Sequence, residues 1–162
     1  MKLNELATKK GTYVGATPSE ESKTRLAKLQ KDINVPNPIP VSKMHVTLIY
    51  SRKYLPDFKP RGKLKEVIKT TPTKLDIFKS KEGVNVLVVI LESEALTNRH
   101  NHIMDTHEAT YDYDEYKPHL TLSYDCGDFD VNEHDITKLL ETITFDEEYD
   151  EELNTNWAKT NT

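Results

Sequence analysis

His45-Val46-Thr47-Leu48-Ile49-Tyr50 and His119-Leu120-Thr121-Leu122-Ser123-Tyr124 are two copies of one design: histidine, an apolar residue, threonine, leucine, a variable residue, tyrosine. Each alternates with the period of two that marks a half-buried strand, so His, Thr and the fifth residue share one face and the tyrosine takes the other. Side chains two apart on a strand project side by side, about 6.5–7 Å apart along the backbone. Two such strands facing each other would gather two imidazoles and two hydroxyls around one small anion. That set is an acid, a base and a phosphate clamp. By the same alternation Tyr50 and Tyr124 belong to the packed side, and Ser123 is a further, minor phosphate contact.

The surroundings of the two motifs repeat as well. Each half reads strand, helix, proline-containing loop, His strand, and the interval from Tyr13 to His45 equals that from Leu87 to His119. A duplicated half predicts an α+β fold of two pseudo-symmetric lobes of antiparallel strands, with packed helices, around a central cleft. The copies cover about residues 11–72 and 73–146 within one domain, 1–153. Residues 154–162 form a polar tail placed to cover the site.

Between the motifs, Thr12-Tyr13-Val14 is a short strand, and Thr17-Pro18-Ser19-Glu20 reads as a helix start with Thr17 as N-cap and Pro18 in the first turn. Leu26, Leu29 and Ile33 mark the buried stripe of that helix, which runs to about Asp32. Pro36, Pro38 and Pro40 cannot continue it. Leu64 to Lys69 and Lys74 to Phe78 are two candidate strands, and Val84 to Leu91 is the central strand by its β-branched content. Ser93 opens a second helix ending near Ala109, with Leu96, His100, Ile103 and His107 on one stripe. A third helix is capped by Asn132. Thr142 to Phe145 is read as an edge strand, followed by an acidic run, Asp146 to Glu152.

Composition narrows the class. The 162 residues carry 22 Lys+Arg against 27 Asp+Glu, a formal charge of −5. A duplex or long RNA partner calls for a basic stripe, so duplex nucleic acid is not expected. A small phosphorylated ligand held by a local site remains compatible. One cysteine, Cys126, excludes an intramolecular disulfide and a cysteine-based zinc cluster. No apolar run approaches membrane-spanning length and the first ten residues lack a signal-peptide core, so no membrane partner is expected and the cytoplasm is the expected compartment. No obligate protein partner is evident. A metal site from His100, His102 and His107 would require helix positions on different faces to converge, so neither metal nor other cofactor is expected.

Two His-x-Thr strands in a duplicated α+β chain of this length resemble the two-histidine phosphoesterase superfamily, which includes RNA ligase-associated cyclic phosphodiesterases and 2′-5′ oligonucleotide phosphodiesterases. The matching residues are His45, Thr47, His119 and Thr121, with apolar flanks as in the family. More narrowly the chain is similar to the phage anti-CBASS phosphodiesterases, which destroy the cyclic nucleotide alarm signals of bacterial immunity. That likeness lies in Gly11-Thr12-Tyr13, the spacing of both motifs and an acidic-then-tryptophan C-terminus. It implies a metal-independent phosphodiesterase acting on small cyclic oligonucleotides in the host cytoplasm, and it makes Tyr13 a base-stacking candidate. A strand tyrosine in the core is the other reading of Tyr13.

The chemistry follows from the residues. Imidazole titrates near pH 6.5, so two of them can hold opposite protonation states near neutrality. A neutral His can take the proton of a ribose 2′-hydroxyl while a charged one protonates the departing 5′-oxygen. Thr47 and Thr121 would donate hydrogen bonds to the non-bridging oxygens as charge builds. The 3′-5′ bond is thus cleaved through 2′-hydroxyl attack, and the assignment of base and acid between His45 and His119 stays open. Trp157, the one tryptophan, lies in a polar tail with no core pattern, where either a nucleobase or the protein surface is its flat partner. Glu151, one among several neighbouring acids, could accept from an adenine amino group. Taken with the cyclic substrates that the resemblance implies, these favour adenosine-containing cyclic di- and trinucleotides such as 3′,3′-cGAMP. The alternatives are an RNA 2′,3′-cyclic or 2′-5′ oligonucleotide phosphodiesterase, or a non-catalytic cyclic-nucleotide sponge.

Overall fold

The computed structural model describes residues 11–153. The chain runs β1 (Thr12–Pro18), α1 (Glu20–Asp32), β2 (Val46–Ser51), β3 (Gly62–Lys79), β4 (Asn85–Glu92), α2 (Glu94–His107), β5 (His119–Ser123), a short α3 (Ile136–Leu139) and β6 (Ile143–Glu152). All pairings are antiparallel, and the six strands close on themselves in the order β1-β2-β5-β4-β3-β6. The fold is α+β as expected, and the antiparallel strands expected in two lobes form one continuous closed sheet. Exchanging β1 with β4, β2 with β5 and β3 with β6 maps this strand order onto itself, with the exchange axis passing between β2 and β5.

Several elements differ from the sequence expectation for physical reasons. Ser19, not Thr17, caps α1: its side chain accepts from the backbone N–H of Ser22. Thr17 and Pro18 end β1 against Glu147 and Phe145 of β6. The two candidate strands across residues 64–78 are a single strand, β3, bent at two register shifts, one of them between Pro72 and Lys74. In the third helical region Asp135 is the cap, accepting from Thr137, and only four residues are α-helical, after a 3-10 turn at Val131–Glu133. Thr142 to Phe145 is not an edge. β6 pairs with β1 on one side and β3 on the other, and the acidic run lies within the strand.

The core lies between the helices and one face of the sheet. Leu26 and Leu29 of α1 and Leu96 and Ile103 of α2 are buried with Val14, Ala16, Leu48, Leu87, Val89, Leu122 and Phe145. A buried ion pair reinforces the seat of α2. The Arg99 guanidinium holds both Glu148 carboxylate oxygens at 2.7 and 3.0 Å, with Glu148 fully enclosed on β6. The opposite face of the sheet carries both histidine motifs.

Candidate active site

β2 and β5 lie side by side in the sheet and touch at one pair, Val46 opposite Leu120. Carrying that register one residue each way sets His45 opposite Thr121 and Thr47 opposite His119. The four groups thus cluster about this one pairing point, with His45 close enough to His119 to act on its charge. Beyond this contact the strands diverge, because each begins where the other begins. Pro38 bridges to Ser123 beside β5, and the Tyr116 hydroxyl reaches the Thr47 carbonyl at 2.7 Å beside β2.

Both histidines are held by the same local device. His45 Nδ1 lies 3.0 Å from the Lys43 carbonyl and His119 Nδ1 lies 2.9 Å from the Lys117 carbonyl. A carbonyl only accepts, so Nδ1 carries the proton in each ring. Nε2 is then the atom left to take or give a proton. Burial lowers the His119 pKa below the ordinary histidine value; the bond to the Lys117 carbonyl opposes this, and the nearby His45 lowers it further. His119 therefore favours its neutral, basic form. Its ring meets Phe78 of β3 edge-on at 5.0 Å, and His45 meets Tyr13 edge-on at 5.9 Å.

The motifs contain a feature the alternation rule does not show. Opposite β2, Val14 faces Ile49 while Gly15 faces Thr47, so Leu48 is an extra, bulged residue. Opposite β5, Leu87 faces Ser123 while Val88 faces Thr121, so Leu122 is bulged at the same motif position. A bulge shifts the alternation by one. Hence Ile49 and Ser123 are buried, and the Ser123 hydroxyl donates to the Pro36 carbonyl at 2.6 Å instead of facing a phosphate. Tyr50 and Tyr124 are correspondingly turned toward the histidine side. Tyr50 contacts Tyr13 edge-on at 6.5 Å, and Tyr124 lines the cleft. The expectation that Ser123 shares the histidine face and the tyrosines do not is reversed.

A cleft of about 770 Å³ opens beside His45, with Lys43, Tyr124, Asp125, Glu147, Tyr149 and Glu151 among its walls. Glu147, Tyr149 and Glu151 alternate along β6 and so share its cleft face. Glu151 sits opposite Tyr13 in the β1–β6 ladder. Tyr13 is 2% exposed, its ring lies within the sheet's packing, and its hydroxyl bonds Thr47 Oγ1 at 2.9 Å. In this position it presents no open ring face to a base, and burial, with Tyr149 adding to it, holds its phenol well above the usual tyrosine value. Trp157 and the tail 154–162 lie outside the described residues. Tyr149, Tyr124, Lys43 and Phe78 were not singled out as site residues from sequence. The alternation of Glu147, Tyr149 and Glu151 could have flagged the first, had the acidic run been read as a strand.

The other histidines have separate surroundings. His100 is buried in the helix–sheet interface, His107 packs edge-on against Phe58, and His134 stacks on Phe129. Among the described residues no three His, Cys, Asp or Glu side chains converge as a metal-ion set would require. No described helix is long and apolar enough to cross a membrane.

The anti-CBASS protein Acb1 of Enterobacteria phage T4 is 35% identical over 158 residues, covering 98% of this chain and 97% of its own length. The Acb1 of Vibrio phage KVP40 is 34% identical over 163 residues, covering 99% of both chains. The crystal structure of TT0787 of Thermus thermophilus superposes with a TM-score of 0.50 at 14% identity, over 86% of this chain and 82% of that one, which shows a shared fold. The profile described as "Anti-CBASS protein Acb1" matches residues 10–160, and with near full-length relatives at this identity the chain belongs to the anti-CBASS protein Acb1 family.

Proposed function

We propose that this protein is a metal-independent phosphodiesterase that cleaves 3′-5′ bonds of adenosine-containing cyclic di- and trinucleotides, and so removes the signal on which CBASS defence depends. Membership of the Acb1 family supports the phosphodiesterase reading. The observation that carries the chemistry is the matched pair of imidazoles, each anchored through Nδ1 to a carbonyl two residues back and each left with Nε2 for proton transfer.

His119, kept neutral by burial and by its neighbour, takes the proton of the ribose 2′-hydroxyl. The 2′-oxygen attacks the adjacent phosphorus, and the P–O5′ bond breaks as His45 in its charged form protonates the leaving oxygen. The product is a 2′,3′-cyclic phosphate. Thr47 and Thr121 donate to the non-bridging oxygens, where negative charge builds in the transition state. The Tyr13 hydroxyl, 2.9 Å from Thr47 Oγ1, fixes the position of the threonine hydroxyl beside the phosphate. A scissile phosphate has a nucleoside on each side. The cleft beside His45 takes one, with Glu151 accepting from an adenine amino group and Tyr124 and Tyr149 as aromatic walls, while Phe78 beside His119 lies toward the other. Trp157 is the proposed stacking partner for a base, and the two sequence halves, about 11–72 and 73–146 within domain 1–153, are the proposed lobes.

The test is incubation with cyclic di- and trinucleotides and 2′-5′ linked oligonucleotides in EDTA, followed by product analysis. Cleavage of 3′,3′-cGAMP and cyclic di-AMP in chelator, with cyclic di-GMP resistant, is expected. Glu151→Gln should relax that preference, and Trp157→Ala should weaken binding of all substrates alike. Cleavage restricted to RNA 2′,3′-cyclic ends or 2′-5′ linkages would refute the substrate assignment, and dependence on added zinc or manganese would refute the mechanism.

A further inference from the structure

The bulges at Leu48 and Leu122 are each propped by a buried polar side chain that the proposed chemistry does not use. The Leu48 carbonyl accepts from His100 Nδ1 of α2 at 2.7 Å. The Leu122 carbonyl, at the same place in the second motif, accepts from Gln30 Nε2 of α1 at 3.1 Å and from the Ile39 N–H at 2.9 Å. His100 is 5% exposed and Gln30 8%. Each helix thus reaches across the pseudo-two-fold: α2, from the second half, holds the first motif, and α1, from the first half, holds the second.

Both props are themselves fixed. The His100 ring stacks on Tyr116 at 4.2 Å with planes 5° apart, and the Tyr116 hydroxyl bonds the Thr47 carbonyl. Two consecutive carbonyls of the first bulge are therefore pinned from one stack. Gln30 also donates to the Ile39 carbonyl at 2.9 Å, tying the proline segment beside β5. A buried carbonyl at a bulge needs a donor, and the two motifs meet that need with different residue types at equivalent places.

We propose that His100 and Gln30 are positioning residues, each locking the bulge of the opposite half's motif so that His45 with Thr47, and His119 with Thr121, stay on the cleft face. The physical reason is register: a bulge sets the parity between the residues on its two sides, so losing it lets the His and Thr on one side turn relative to the partner strand that holds the other. This inference rests on the two-histidine reading of the site, although its structural arm does not.

The experiment compares wild type with His100→Leu and Gln30→Met, which remove the side-chain donors at similar volume while the Ile39 N–H stays on the Leu122 carbonyl, and with His100→Asn, whose amide N–H stands near the Nδ1 position. With 3′,3′-cGAMP as substrate, each donor-less variant should lose about 10- to 100-fold in kcat, the scale expected of sub-ångström to ångström misplacement, with KM within about threefold. His100→Asn should recover most of the loss. Crystal structures of His100→Leu and Gln30→Met should show a shifted register, at Ile49 opposite Val14 and at Ser123 opposite Leu87 respectively. If His100→Leu fails to fold, His100→Gln, which carries its amide one carbon further out, takes its place with the same expected loss. Wild-type kcat in both donor-less variants, or unchanged bulges in their crystals, would overturn the proposal. If the wild-type protein leaves every cyclic nucleotide intact, the functional reading fails, and the register in the variant crystals still decides this one.

Discussion

Gly15→Ala is a one-methyl change whose cost can be worked from the packing around β1. Gly15 lies between Thr47 of β2 and Tyr149 of β6 in the two ladders. A Cβ there would stand 2.8 Å from the Tyr149 hydroxyl oxygen, 2.9 Å from Tyr149 Cζ and 3.0 Å from Tyr13 Cε1. Tyr149, half-buried at the cleft, can swing its phenol outward. Tyr13, 2% exposed and bonded to Thr47, has nowhere to go. Overpacking of this kind costs about 1–3 kcal/mol. For a chain of this length 1 kcal/mol moves the melting temperature by about 2–4 °C, so a fall of about 6 °C is expected at the middle of both ranges. Turnover should fall too. Displacing Tyr13 removes a neutral hydrogen bond worth about 0.5–1.5 kcal/mol, and if Thr47 needs it in the transition state, kcat drops by about 2- to 13-fold. Calorimetric melting and single-turnover cleavage of 3′,3′-cGAMP give both readings. Gly15→Ala placed on Tyr149→Ala should keep most of the cost, because the enclosed Tyr13 ring it strikes is still there. A Gly15→Ala protein that melts within about 1 °C of wild type with unchanged turnover would refute the argument that this glycine makes room for the two phenols.

Other expectations follow from the same contacts. His45→Ala and His119→Ala should each lower turnover by about 10²–10⁴-fold or more in EDTA while substrate still binds in calorimetric titration; near-wild-type turnover in either would remove that residue from the pair. His119 has a folded pKa below its unfolded value of about 6.5, so its contribution to stability is full above that pH and is lost as pH falls from about 6.5 through the folded pKa. Accordingly the acidic limb of kcat/KM against pH should lie below 6.5, and a limb above it would reassign His119 from base to acid. Arg99→Met strands the enclosed Glu148 carboxylate and should cost about 3–5 kcal/mol in denaturant unfolding, whereas Arg99→Met with Glu148→Leu should recover most of that. An exposed-pair cost below about 1 kcal/mol for the single variant would show that Glu148 finds water.

The sequence by itself determined the chemistry-bearing residues. His-x-Thr written twice with apolar flanks needs only the period-two rule to place imidazole and hydroxyl on one strand face, and the structure puts the two strands next to each other, paired at Val46 and Leu120. Helix positions were legible where a periodic stripe and a cap coincide, as with Leu96, Ile103 and the Ser93 cap of α2. They were less legible where two capping residues compete: Thr17 and Ser19 both suit an N-cap, and pairing of Thr17 and Pro18 with β6 decided for Ser19. Long-range pairing also turned the acidic run 146–152 into a strand. Local composition reads it as solvated chain, but β1 and β3 satisfy its backbone, Arg99 satisfies Glu148, and the cleft takes Glu147 and Glu151. The bulges at Leu48 and Leu122 were invisible in the alternation, because a bulge is a mismatch between two strands and has no signature in either one. From them follow the burial of Ser123, the turn of Tyr124 toward the cleft, and the demand for His100 and Gln30, residues that local pattern places within helices and nothing more. Periodicity fixes which side chains share a face within a strand; only the pairing of distant strands fixes which face that is, and what stands opposite.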